Sequence, residues 1–165
     1  MDHETKYFLY VILFLGIIVL LLQTLVVPLI EIRLWRPDLI LALVILLGNR
    51  FGSLKGSSAG FFLGIIQDSL TGMPVGITAL PKAIVGYGAG KMHTHKVAGS
   101  MAYLWFILLI FLHELLLYAF FQFKTNLSYG VLVYTRAFPN TIYTLIMLLF
   151  IQVFTYKYLN EEYHA

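Results

Sequence analysis

Four ionisable side chains stand inside otherwise apolar stretches of this chain: Asp68, Lys82, His113 and Glu114. Charges in a spanning helix are costly and are candidates for function by default. Two carboxylates, an ammonium and an imidazole could pair to fix helix register, relay a proton, or bind a small polar solute. Ion pairing is the plainest of the three. No nucleophile stands beside a general acid, so the pattern specifies no catalytic residue and no enzyme. His113 and Glu114 are adjacent, about 100° apart around a helix, and cannot be neighbouring ligands of one metal on one face. His93 and His95 in KMHTHK could hold a surface metal, but an interfacial position explains them more simply. Cysteine is absent, which removes disulfides, thiolate catalysis and Cys-based metal sites. Gly86-x-Gly88-x-Gly90 lacks the strand-to-helix setting of a dinucleotide loop, so helix packing is the better reading. Asn126-Leu127-Ser128 matches a glycosylation triplet, a pattern too short to be specific. No cofactor is implied.

A second spacing concerns small residues. Gly52, Gly56, Gly60, Gly64, Asp68, Gly72 and Gly76 stand four apart in apolar surroundings such as GSSAGFFLGIIQD. Lipid provides no hydrophobic drive between helices, so small residues at this spacing let two backbones approach closely. A stripe stepping by four drifts about 40° per step on a 3.6-residue helix. One neighbour therefore cannot cover it all, and Gly52 and Gly56 face a different helix from Gly64 and Asp68. The neighbour can be the next helix of the same chain or a partner protein.

The elements that carry these residues follow from composition. Of the 165 residues, 60% are hydrophobic and 12% charged, against about 25% charged in a soluble domain. Mean hydropathy is +0.86. Apolar segments follow one another with little polar sequence between them, which gives one transmembrane domain over residues 1–165. The net charge of +3 is modest, and its basic residues sit in short connections. They read as orientation signals and exclude a nucleic-acid surface.

A spanning helix needs about 20 apolar residues, and six segments read as spans, the second of them short. The first runs from Tyr7 to about Val27, ended by Pro28; it is too long for the apolar core of a cleaved signal peptide and lacks a small-residue cleavage site. The connection from Glu31 to Asp38 follows. Pro37 can take the first position of the second helix, with Asp38 shaping its start, and that helix runs to about Leu47. The third covers Leu54 to Thr71, ending in the turn signal Thr71-Gly72-Met73-Pro74. The fourth covers Val75 to Lys91, with Pro81 inside it. The fifth covers Val97 to Phe123, and the sixth runs from near Pro139 to near Tyr158.

At about 1.5 Å per residue, Asp68 lies roughly 5 Å and Lys82 roughly 10 Å below the turn at Met73. Glu114 lies about 24 Å along the fifth helix from Ala98. All four ionisable groups then share one depth and form one buried cluster. With both termini in the cytoplasm, Lys6, Arg50, Lys55, Lys91, Lys96 and Lys157 fall inside, against Arg33, Arg36, Lys124 and Arg136 outside. The bias follows the positive-inside rule.

The stretch from Arg36 to Gly90 resembles the rod shape-determining membrane protein MreD family. The resemblance rests on Arg36-Pro37-Asp38, then Gly56, Gly60 and Gly64 leading to Asp68, then Gly76, Ala79-Leu80 and Gly86-Tyr87. It implies a non-enzymatic inner-membrane subunit of the bacterial cell-elongation machinery. Such a subunit partners MreC, a single-span protein, and works with MreB, RodA and a class B penicillin-binding protein in lateral peptidoglycan synthesis. It also implies an all-α fold similar to the substrate-binding S-components of energy-coupling-factor transporters. Lys82 matches nothing in the family pattern, and the last two helices carry no family motif. On this reading Gly52, Gly56, Gly60, Gly64, Gly76 and Gly86 serve packing or the partner, and Pro37, Asp38, Asp68, Lys82 and Glu114 are structural polar residues. The rival reading is the substrate-binding subunit of a small-solute transporter, with Asp68, Lys82 and Glu114 at the solute.

Overall fold

The computed structural model describes residues 3–95, 99–123, 125 and 127–159. Lys96, Val97, Ala98, Lys124, Asn126 and the side chain of Lys157 lie outside that description. The described residues form six helical segments joined by short connections, and their one β-type pairing is the isolated bridge between Ile32 and Trp35.

Helix α1 (His3–Leu29) is apolar all round and only 17% of its most apolar window is buried. Near its end Thr24 Oγ1 donates to the carbonyls of Leu20 and Leu21, a bond that competes with the backbone ladder. There the helix widens into a π-helical turn (Leu22–Val26) and closes on a 3-10 turn (Val27–Leu29) containing Pro28. Helix α2 (Leu39–Phe51) begins two residues later than Pro37 at its first position would set it. Asp38 is the N-cap, its Oδ1 accepting from the Leu41 N–H at 2.8 Å, so Pro37 precedes the cap. From Ile40 to Ile45 every α2 residue is buried, as befits a helix wrapped on all sides. Its 13 residues span about 20 Å, less than the roughly 30 Å of a hydrocarbon core.

Helices α3 (Ser53–Thr71) and α4 (Ala79–His95) form the most extensive pairing in the molecule. Helix α4 starts at Ala79, where the sequence had suggested Val75, because the intervening residues form a turn held by Asp68. Pro81 therefore falls in the first turn of α4, where a backbone N–H has no intrahelical partner to lose. Helix α5 is Ser100–Gln122. Helix α6 opens as Tyr129–Leu132, passes through a π-helical turn at Val133–Ala137 and continues as Phe138–Leu159. It begins well before the expected Pro139; the proline rides in a helix already under way, directly after the π turn.

Helices α1, α5 and α6 are long and apolar enough to cross a membrane. Helix α2 is apolar but short, while α3 dilutes its apolar residues with glycine and serine and α4 with glycine and polar residues. One apolar core joins Leu41 and Ile45 to Val85, Met92, Phe106 and Ile110; a second joins Phe8, Ile40, Val44 and Leu63.

Glycine sets the α3–α4 distance. A Cβ on Gly56 would stand 2.5 Å from both the Gly48 Cα and the Gly86 carbonyl oxygen. One on Gly60 would strike the Lys82 carbonyl, one on Gly64 the Ala79 backbone, and one on Gly86 the Gly56 carbonyl. Gly56, Gly60 and Gly64 thus face α4 of the same chain. Gly52 and Gly76 are different: a Cβ on either meets nothing within 4 Å, and both hold positive φ, +90° and +106°. They turn the backbone between helices, and Gly52 also lies close against α4, where a Cβ on Gly90 would strike its carbonyl carbon.

Candidate functional site

The buried polar residues form a chain across α2, α4, α5 and α6. Asp38 stands at the start of α2, and its second oxygen, Oδ2, accepts from Lys82 Nζ at 2.5 Å. Lys82, fully buried on α4, is brought there by the contact of its own backbone with Gly60. Its ammonium also lies 3.4 Å from His113 Nε2. An ammonium only donates, so Nε2 accepts and the ring proton sits on Nδ1. That Nδ1–H donates to Glu114 Oε1 at 3.3 Å. On α6, Asn140 Nδ2 donates to Glu114 Oε2 at 3.2 Å and to the Tyr118 hydroxyl at 3.0 Å.

Helices α1 and α6 close the backbone of the connection that precedes α2. The Arg36 N–H donates to Asn140 Oδ1, the Asp38 N–H to Thr144 Oγ1, and the Leu39 N–H to Gln23 Oε1. Gln23 Nε2 returns a bond to the Pro37 carbonyl. Buried backbone groups must find partners, and here side chains of α1 and α6 supply them.

Asp68 does not join this chain. It is buried at the end of α3, where Oδ2 accepts from the Gly76 N–H at 2.8 Å and both oxygens receive the Thr78 N–H at 3.2 Å. It organises the turn into α4. Sequence depth placed Asp68 beside Lys82 because it ignored angle around the helix; the partner of Lys82 is Asp38. Asn140, Tyr118, Thr144 and Gln23 also escaped sequence reasoning. The one available signal was a polar side chain interrupting an apolar run, as Gln23 does in α1 and Asn140 beside Pro139 in α6.

Chemically, the chain is saturated: each charged member is held by another member. Among the described residues no three His, Cys, Asp or Glu side chains converge as a metal site. Such a network fixes register and orientation, since removing one partner leaves an uncompensated buried charge.

Beside the chain lies a cavity of about 390 Å³, enclosed by the end of α1, residues 34–38, the ends of α3 and α5, and the start of α6. Asp38, Glu114, Tyr118 and Asn140 of the chain line it, together with Arg36 and Arg136. Neither Asp68 nor Lys82 lines it. The family model of the rod shape-determining protein MreD matches residues 3–161. No curated protein and no solved structure matches the chain.

Proposed function

The chain belongs to the MreD family, and we infer from that premise that it is a non-catalytic scaffold of the complex that sets rod shape. The observation that carries the scaffold reading is the saturation of its buried polar groups: Lys82, Asp38, His113, Glu114 and Asn140 satisfy one another. A group committed in this way positions helices and is not poised to react. We place the molecule in the bacterial inner membrane as six spans, both termini cytoplasmic, in an arrangement like that of an S-component. In support, the described cations Arg50, Lys55 and Lys91 gather at the helix ends on the side of the N-terminus.

The partner in this reading is MreC, through its single span, with MreB, RodA and a class B penicillin-binding protein engaged indirectly in lateral wall synthesis. Gly56, Gly60 and Gly64 are occupied by α4, so the partner helix must use an outer surface. Helix α1 offers the broadest, with Leu13, Phe14, Ile17 and Leu21 all exposed. The test is affinity purification of the tagged chain from its own membrane in mild detergent, with mass spectrometry of what is retained. Recovery of a single-span wall-elongation protein in near-equal amount is the expected result. Recovery of ATPase subunits in its place would transfer the chain to the transporter reading, of whose proposed solute ligands Glu114 lines the cavity while Asp68 and Lys82 do not.

A further inference from the structure

The cavity beside the polar chain has features that helix packing leaves unexplained. The Arg136 side chain lines it close enough to Tyr118 to act on it electrostatically, with no hydrogen bond or ion pair among the described residues. Arg36 pairs with Glu31 through Nε alone, at 3.1 Å, leaving its terminal nitrogens available. Gln67 also lines the cavity, and its Oε1 is buried with no donor. An unsatisfied buried acceptor is costly and calls for a partner.

The backbone around the cavity is irregular in a consistent way. Both π-helical turns of the described chain border it, one through Gln23 and Thr24, the other through Arg136. Such turns gather at functional sites. The connection beside it holds Arg33 at φ 61°, a left-handed conformation in a residue with a side chain. Strain of this kind persists where surrounding structure enforces it. Here Trp35 Nε1 clamps the connection onto the second π turn by donating to the Thr135 carbonyl at 3.1 Å.

We propose that this cavity binds a phosphate-bearing polyol headgroup, its phosphate on Arg136 and Arg36 and a hydroxyl donating to Gln67 Oε1. Guanidinium forks suit phosphate oxygens, in bidentate and charge-assisted contact. The lining carboxylates Asp38 and Glu114 have their acceptors committed to Lys82, Leu41, His113 and Asn140. Their charge repels an anion and so favours its placement beside the arginines. The volume falls in the usual range of ligand sites, about 300–1,000 Å³. Leu70, Leu117 and Phe121 supply an apolar wall for a glycerol backbone or acyl chain. The headgroup chemistry is shared by a membrane phospholipid and a soluble sugar or glycerol phosphate.

The test uses the purified, delipidated full chain in neutral detergent, without any partner protein, so its outcome is independent of the scaffold reading. Dioctanoyl phosphatidylglycerol, glycerol 3-phosphate and dioctanoyl phosphatidylcholine are titrated against thermal stability and in native mass spectrometry. Saturable binding of a glycerophosphate probe over the choline lipid is expected. Binding of the acylated form alone assigns a lipid, and binding of both assigns the soluble headgroup. Arg136→Gln should weaken it about ten-fold or more. Gln67→Leu should weaken it less. Leu70→Trp, which fills the cavity wall without removing a polar group, should abolish it, and Lys91→Gln at the opposite end should not change it. Absence of saturable binding, or binding unaffected by Arg136→Gln and Leu70→Trp, would overturn the proposal.

Discussion

Replacing Lys82 with Met keeps the length of the side chain and removes its charge. Lys82 is fully buried, and its ammonium holds Asp38 at 2.5 Å and His113 at 3.4 Å. Methionine leaves the Asp38 carboxylate facing the protein interior with a cap bond from Leu41 and no counter-charge. Breaking one side of a buried pair costs about 3–5 kcal/mol, whereas replacing both partners by neutral groups is often close to neutral. Asp38→Asn alone should likewise cost about 3–5 kcal/mol, because an amide can still cap α2 but strands the ammonium. The double variant Lys82→Met with Asp38→Asn should cost less than either single change. The coupling in a double-mutant cycle should then reach at least about 3 kcal/mol, at the top of the range for interacting neighbours. Unfolding by SDS titration in mixed micelles, followed by helical circular dichroism, measures all four species. Additive single effects would refute the pairing and the role assigned to Asp38.

Gly60→Leu should destabilise by about 3 kcal/mol or more, because its Cβ meets the Lys82 backbone and the seam must open. Gly130→Ala, with nothing within 4 Å, is the matched silent change in the same unfolding assay. Asp68→Ala removes the acceptor of the Gly76 and Thr78 N–H groups and should cost about 2–4 kcal/mol; Asp68→Asn should cost less, and equal losses would contradict the capping role. The lack of native cysteine makes labelling clean: cysteine at Leu34 or Val75 should react with an impermeant maleimide in spheroplasts. Cysteine at Lys91 should react only after permeabilisation, and the reverse pattern would invert the orientation.

Helices α1, α5 and α6 were legible because long apolar runs admit few alternatives; α2 is shorter, and α3 and α4 were marked off by glycine spacing and turn residues. The close approach along Gly56, Gly60 and Gly64 was legible as a spacing, since only missing side chains allow it. Its direction was not, because the same stripe serves a partner or the next helix equally well. Gly52 and Gly76 share that four-residue spacing only in number; a turn and a helix face write glycine alike. The Asp38–Lys82 pair was hidden for another reason. Axial depth can be counted along a chain, but which helices lie side by side is a property of the assembled bundle. Asp38 had one visible role, at the start of α2, and its two oxygens in fact serve two. Asn140 and Tyr118 carried no signal beyond polarity in an apolar run, and the cavity they border depends on two π turns that no sequence period announces.

The scaffold reading treats the buried charges as architecture and assigns them no chemistry. Its most direct test is the width and shape of cells whose only copy of this protein carries Lys82→Met together with Asp38→Asn, with the protein level checked in the membrane fraction. Rods of normal width at normal protein level are the predicted result, because the pair has been removed together and the helices still pack. Round cells containing the variant, folded and at full level, would show that the charges act on something beyond the fold and would contradict the account.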